Sequence, residues 1–202
     1  MNVLIACEFS GIVREAFKIK GHSAMSCDLL DSEIPGCHYK GDVRDVLDYK
    51  WDMMIFHAPC TRLCNSGVRW LRERNLWNDM REAAKFFKLL LNANIPLIAG
   101  ENPIPHKYAV EIIGRNYDQL IQPWQFGHGE QKATCLWLKG LPKLIPTNIV
   151  SGREQRIHLM SPGQNRGMER SRIFRGIADA MASQWGDIDT VSNCDTIPLS
   201  VH

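Results

Sequence analysis

The sequence predicts an α/β fold built on a doubly wound, mostly parallel sheet. Two observations carry that expectation. Short apolar runs alternate with amphipathic helical stretches over the first hundred residues. The ends of these runs carry unusual polar residues, at Glu8, Asp28, Asp42, Cys60 and Glu101. In a parallel sheet those positions share one edge, the edge at which such folds bind ligands.

The elements follow in order. Asn2–Cys7 is a short apolar run, Glu8-Phe9-Ser10-Gly11 is a tight turn, and Ile12–Lys20 repeats apolar residues at helical spacing before a capping Gly21. Ser23–Cys27 is a second strand that ends at Asp28. Asp42 closes a third short segment, and Val43–Leu47 reads as a brief helical turn. Met53–Phe56 is a buried strand leading into His57-Ala58-Pro59-Cys60. Asn78–Ala93 carries the clearest helical stripe, with Met80, Ala83, Ala84, Phe87, Leu90 and Leu91 on one face. Ile95–Ala99 is a strand, followed by Glu101-Asn102-Pro103.

The second half is less regular. Asn116–Gly127 suggests a strand region, Cys135–Leu138 another, and Ser151–Gly167 a polar loop. Arg175–Trp185 reads as a terminal helix, and Asp187–His202 as a flexible tail without periodicity. A chain of 202 residues suits one domain, here residues 1–186.

Composition narrows the function classes. Hydrophobic residues at 45% and charged residues at 23% place the chain among ordinary globular proteins. No apolar run approaches the ~20 residues needed to span a bilayer, and the N-terminus lacks the pattern of a secretory leader. Seven cysteines, an odd number without scaffold spacing, point to free thiols in a reducing compartment, hence to the cytoplasm. A formal charge of +2 neither demands nor excludes nucleic acid, but Arg153–Arg175 holds six arginines and no lysine.

The strand ends suggest a Rossmann-like site for a nucleoside-bearing cofactor. Gly11 lets a ligand approach the backbone, and the helix that follows offers free N–H groups to an anion. Asp28 lies about 20 residues on, where an acid accepts hydrogen bonds from ribose hydroxyls. Asp42 is then placed to receive an adenine amino group. The alternative is that both acids cap helices or make turns. Neither G-x-G-x-x-G nor a P-loop signature is present.

Cys60 follows Pro59 at the end of a buried strand, where helix N–H groups and Arg62 are expected to lower its pKa. Glu101 beside it suits protonation of a heteroaromatic ring. The alternative readings are an inert core thiol and a loop carboxylate facing water. His57, Cys60 and Cys64 cluster, but without the second pair that a structural zinc site needs. No metal is expected.

Together these residues resemble the DNA cytosine-5 methyltransferases. Phe9-Ser10-Gly11 is similar to that family's cofactor turn, Asp28 to its ribose-binding acid and Asp42 to its adenine-contacting Asp. Pro59-Cys60 is similar to its nucleophile motif, and Glu101-Asn102 to its Glu-Asn-Val motif with Pro103 in place of Val. The likeness covers residues 1–105 well. A second likeness is to compact phage-borne or prophage-borne cytosine methyltransferase-like proteins, through Gln122–His128 and Thr134–Leu138. Glu8 departs from the family's usual Asp, the glycine turn is thin, a Gln-x-Arg-x-Arg motif is missing, and a separate target-recognition domain is not expected.

The resemblance implies the S-adenosylmethionine-dependent methyltransferase fold, with Glu8, Phe9, Ser10, Gly11, Asp28, Leu29, Asp42, Val43 and Pro59 holding S-adenosylmethionine. It implies Cys60 as the nucleophile at C6 of cytosine and Glu101 as the hydrogen-bond donor to N3. Nucleic acid, expected to be DNA, is then the partner. Asn102, Arg62, Arg170 and Arg172 would contact it, with Arg153, Arg156, Arg166 and Arg175 as further phosphate ligands. Trp70, Trp77 and Trp124 are candidates for base stacking, although core packing is the commoner fate of tryptophan. The rivals are a methyltransferase for RNA or free nucleotides, and a binding protein that kept the scaffold without the chemistry.

Overall fold

A computed structural model describes residues 1–161, 163 and 166–188. Residues 189–202, nearly all of the stretch expected to be a tail, lie outside the described residues.

The first strand, β1 (Asn2–Ala6), leads through a turn into α1 (Ile12–Ile19), and β2 (Ser23–Asp28) returns beside it. A short β3 (His38–Lys40) and β4 (Met53–Phe56) follow. Next come α2 (Val68–Glu73), α3 (Trp77–Leu91), β5 (Leu97–Pro103) and α4 (Lys107–Ile113). The last elements are β6 (Gln119–Ile121), β7 (Thr134–Lys139), α5 (Arg156–Leu159), α6 (Arg166–Ser171) and α7 (Arg175–Trp185).

The seven strands form one sheet in the order β3-β2-β1-β4-β5-β7-β6. β3, β2, β1, β4 and β5 run parallel, and β7 pairs antiparallel with both β5 and β6. The order reverses between β1 and β4, so a ligand crevice is expected beyond the carboxyl ends of those two strands.

Strand alternation sorts the core onto two faces. Val3, Ile5, Met53, Ile55, Leu136 and Leu138 pack with Val13 and Phe17 of α1 and Ile177, Met181 and Trp185 of α7. Leu4, Ala6, Met54, Phe56, Ile98 and Trp137 pack with Met80, Phe87 and Leu90 of α3 and Ala109 and Ile113 of α4. α7 lies against α1. No helix among the described residues is long and apolar enough to cross a membrane.

Three local expectations are corrected. β5 starts later than expected and runs on to Pro103, because antiparallel pairing with β7 extends it through Glu101 and Asn102. The expected strand region at Asn116–Gly127 holds only three strand residues, followed by a 3-10 turn at Pro123–Gln125. The polar loop at Ser151–Gly167 contains α5 and the start of α6, while Pro162, Gln164 and Asn165 lie outside the described residues.

Candidate active site

Beyond the carboxyl ends of β1, β4 and β5 lies a cavity of about 1080 Å³. Cys7–Ser10, Asp28, His57–Arg62, Glu101 and Lys132 line it, together with much of the segment from Ile157 to Ile173. A smaller cavity of about 140 Å³ adjoins it, lined by Cys7, Cys27, Asp28, Leu29, Gly41, Asp42, Val43, Pro59 and Phe86. Cys7, Asp28 and Pro59 belong to both walls.

The turn after β1 is held by its own side chains. Cys7 adopts a left-handed backbone with φ 57°, rare for a residue other than glycine and common at functional sites. Glu8 is buried and folds back over the start of α1. Its carboxylate accepts from the N–H of Val13 at 2.7 Å, the N–H of Arg14 at 3.3 Å and the Ser10 hydroxyl at 3.1 Å. The helix N–H groups expected to be free for an anion are therefore partly occupied by Glu8.

Gly11 has a role the sequence reading missed. Its φ of 73° suits glycine, and a Cβ there would lie 2.8 Å from the Arg14 guanidinium. The glycine makes room for Arg14. Arg14 is fully buried and donates to Ser26 Oγ at 2.8 Å, Ser32 Oγ at 3.1 Å and the Ile34 carbonyl at 2.5 Å. It also pairs with Glu15 at 3.0 Å. The loop after β2 is thereby fastened to α1. A buried arginine with i, i+1 acidic pairing looks like a surface residue in sequence, which is why it gave no signal.

Both acids proposed for the nucleoside face the crevice and also make local bonds. Asp28 Oδ1 accepts from the Leu30 N–H at 3.0 Å. Asp42 caps the 3-10 turn Val43–Asp45, accepting from the Arg44 N–H at 2.9 Å, and pairs with the Arg44 guanidinium. That side-chain hydrogen bond holds the Asp42 carboxyl down at about 2. Leu29 and Val43 line the small cavity as an apolar wall, and Phe9 and Ser10 line the large one.

Cys60 and Glu101 come together at the ends of neighbouring strands. Burial, then the negative charge of Glu101, pushes the Cys60 thiol up to about 11. This corrects the expectation of a lowered thiol. The nearest following α-helix, α2, begins only at Val68 after a 3-10 turn at Asn65–Gly67, and Arg62 turns to Asp79 at 3.6 Å. The cation that acts on Cys60 is Lys132, a residue that sequence reasoning did not single out. Burial pushes the thiol of Cys7, on the same wall, up as well, to about 12.

Glu101 lies in the sheet with its side chain 12% exposed, so it is not a loop carboxylate facing water. His57 Nδ1 sits 3.2 Å from its Oε2. Burial raises the Glu101 carboxyl, but the His57 hydrogen bond and charge, with Lys132, outweigh it and leave it below the usual carboxylate range. Asn102, on the opposite face by strand alternation, is buried and donates to the Pro103 carbonyl at 2.6 Å. It is not among the residues lining the cavity, whereas Pro103 is.

Of the expected nucleic-acid contacts, Arg62, Arg166, Arg170 and Arg172 line the large cavity. Arg172 is engaged by Glu33, with Nε at 2.9 Å, and its carbonyl accepts from Lys132 Nζ at 3.0 Å. Arg170 has no ion pair among the described residues. Arg153 stacks on Trp124, Arg156 pairs with Glu130 and Glu154, and Arg175 pairs with Asp179. Trp77 packs edge-on against Tyr108, in keeping with a core role. Trp70 lies on the cavity wall between the Arg69 and Arg74 guanidiniums, at 4.3 and 4.2 Å from its ring centre.

No family model matches the chain, and no curated protein is similar to it. Among solved structures it is similar to a candidate DNA modification methyltransferase encoded within prophage Cp (E. coli), with TM-score 0.51 and 14% identity. The chain shares that protein's fold. The match covers 74% of this chain and 52% of the other, so the chain spans about half the length of that structure. It is also similar to the Entamoeba histolytica methyltransferase EhMeth, with TM-score 0.48 and 15% identity over 82% of this chain and 61% of that one.

Proposed function

We propose that the chain is an S-adenosylmethionine-dependent methyltransferase that acts on C5 of cytosine in DNA. The observation that carries this reading is the meeting of Cys60 and Glu101 at the ends of β4 and β5, on the wall of a cavity that also reaches Asp28. A thiol and a carboxyl group on one wall suit addition to a heteroaromatic ring.

The residues fit the cofactor. The small cavity is mostly apolar with two acids, Asp28 and Asp42, in its wall, which suits a flat nucleobase. Asp28, shared by both cavities, suits a ribose diol, and the wall formed by Cys7–Ser10 suits the amino-acid part. When bound, S-adenosylmethionine supplies an electrophilic methyl group. Cys60 then adds to C6 of the base, Glu101 holds N3, and the surrounding wall excludes water. A base in duplex DNA must first be flipped, at a cost of a few kcal/mol. The shared fold with a DNA modification methyltransferase supports the DNA reading.

A second reading, a cofactor-binding protein without chemistry, is favoured by the half-buried position of Cys60, where burial and the charge of Glu101 push the thiol up to about 11. Calorimetric titration of S-adenosylmethionine, followed by transfer of a labelled methyl group to DNA, RNA and nucleotides, separates the two. Micromolar binding with transfer that Cys60→Ser abolishes is the expected outcome. Binding without transfer to any acceptor leaves the second reading, and transfer retained in Cys60→Ser removes Cys60 from the mechanism.

A further inference from the structure

α2 is fixed against the loop that carries Cys60. The Asn65 N–H donates to the Ile104 carbonyl at 2.9 Å, and the Gly67 N–H to the Cys64 carbonyl at 3.0 Å. A Cβ on Gly67 would lie 2.8 Å from the Thr61 carbonyl oxygen, so the turn before α2 packs directly on that loop. Leu71, 1% exposed, anchors the helix in the core. Trp70, the residue before it, is half-buried and lines the same cavity as Cys60 and Glu101.

One indole ring here holds two guanidiniums. The guanidinium carbon of Arg69 lies 4.3 Å from the Trp70 ring centre, and that of Arg74 lies 4.2 Å from it. Arg74 reaches the ring because it follows Trp70 by four residues, and its N–H donates to the Trp70 carbonyl at 3.0 Å. Both arginines are exposed and make no ion pair among the described residues; Glu73, exposed on the same helix, pairs with neither. Two like charges gathered on one ring repel each other, and an anionic ligand relieves that repulsion. α6 adds Arg166 and Arg170 to the lining of the same cavity.

A guanidinium is planar and stacks on aromatic faces, and its plane also accepts a nucleobase. The layer of Arg69, Trp70 and Arg74 therefore offers a flat surface for a base and positive charge for its phosphates. A base within a duplex is covered on both sides by its neighbours and has no free plane to add to this layer. An unpaired base has one.

We propose that Arg69, Trp70 and Arg74 bind an unpaired base beside the target cytosine, so that the acceptor is single-stranded DNA. This narrows the acceptor of the function proposed above and rests on that reading. The base stacks on a guanidinium plane, and Arg69 and Arg74 neutralise the flanking phosphates. Trp70 is a positioning residue, because it touches the guanidiniums and they touch the strand.

The test is fluorescence anisotropy with three labelled ligands. They are a short single strand holding one cytosine, the same strand annealed to its complement, and a copy with abasic sites beside the cytosine, which keeps every phosphate. The intact single strand is expected to bind about tenfold tighter than either of the others. Trp70→Leu is expected to erase the advantage over the abasic copy while leaving the affinity for that copy within about twofold, since no charge is lost. Arg69→Gln combined with Arg74→Gln, at two exposed positions, stands in if Trp70→Leu does not fold; it is expected to erase the same advantage and to lower the salt slope. The proposal is overturned by a duplex bound as tightly as the single strand, by an abasic copy bound as tightly as the intact one, by an advantage that survives these replacements, or by no binding of any strand. The binding needs neither cofactor nor methyl transfer. A protein that binds the unpaired strand but transfers nothing keeps this site and loses the reaction, whereas a methyltransferase that prefers duplex keeps the reaction and loses this site.

Discussion

The Glu8 carboxylate accepts the backbone N–H of Val13 at 2.7 Å, and through that bond a residue of the strand edge caps the first helix. Replacing Glu8 by Ala leaves the N–H groups of Val13 and Arg14 and the Ser10 hydroxyl without their acceptor in a buried place. Unmet buried groups cost about 1–3 kcal/mol, so Glu8→Ala is expected to destabilise the protein by about 2 kcal/mol. Urea denaturation checks this. An unchanged midpoint at unchanged m would mean that water replaces the carboxylate.

Arg14 is expected to matter more for stability than any other surface-looking charge. Arg14→Met removes the donors to Ser26, Ser32 and the Ile34 carbonyl and leaves Glu15 with only Lys18, at 3.8 Å. Removing one partner of a buried charged group costs about 3–5 kcal/mol. A loss in that range by denaturant unfolding is the expected result, and a loss under about 1 kcal/mol would show that the loop after β2 is not fastened in this way.

The acids of the small cavity are expected to separate in their effects. Asp28 has one oxygen bonded locally, whereas both Asp42 oxygens are bonded to Arg44. Asp28→Ala is expected to weaken S-adenosylmethionine several-fold by calorimetry, and Asp42→Asn to weaken it less. Asp42 instead leaves a signature in acid. Its carboxyl is depressed from 3.8 to about 2, so its contribution is present above pH 4 and is lost as the pH falls through 2. The pair is solvent-exposed, so the contribution is about 0.5 kcal/mol. Asp42→Asn should flatten that part of the stability–pH curve by a comparable amount, and a curve as steep as that of the unaltered protein would deny the carboxylate this role.

Much of the fold was legible because β1 and β4 are short and nearly all apolar, and the helices between strands carry a clear period. β1, β2 and β4 and the helices α1, α3 and α7 stand close to where periodicity placed them. α4 was missed because its cap is unusual: the His106 side chain accepts from the Ala109 N–H at 3.1 Å. The pairing of β5 with β7 depends on residues more than thirty positions apart, which no local pattern encodes. At the site, Cys60 and Glu101 were visible from their places at strand ends. His57 was weighed only as a metal ligand, and Lys132 not at all, because both act through neighbours that only the folded sheet supplies.

Arginines that look equivalent in sequence are expected to differ in nucleic-acid binding. Arg172 is committed to Glu33, while Arg170 lines the cavity with no ion pair among the described residues. A lysine or arginine on a phosphate releases a counterion, and each such contact adds about 0.9 to the salt slope for duplex DNA. Arg170→Ala is therefore expected to lower the slope of log K against log salt by about 1, while Arg172→Ala lowers it by much less. Instead, Arg172→Ala should release Glu33 and reduce stability slightly, since an ion pair so near solvent contributes about 0.2–1 kcal/mol. Fluorescence anisotropy with a labelled duplex between 50 and 200 mM salt, roughly the range in which such slopes are resolved, gives the answer. A slope that falls equally in both variants would mean that DNA displaces Glu33 from Arg172, and that the loop after β2 yields when nucleic acid binds.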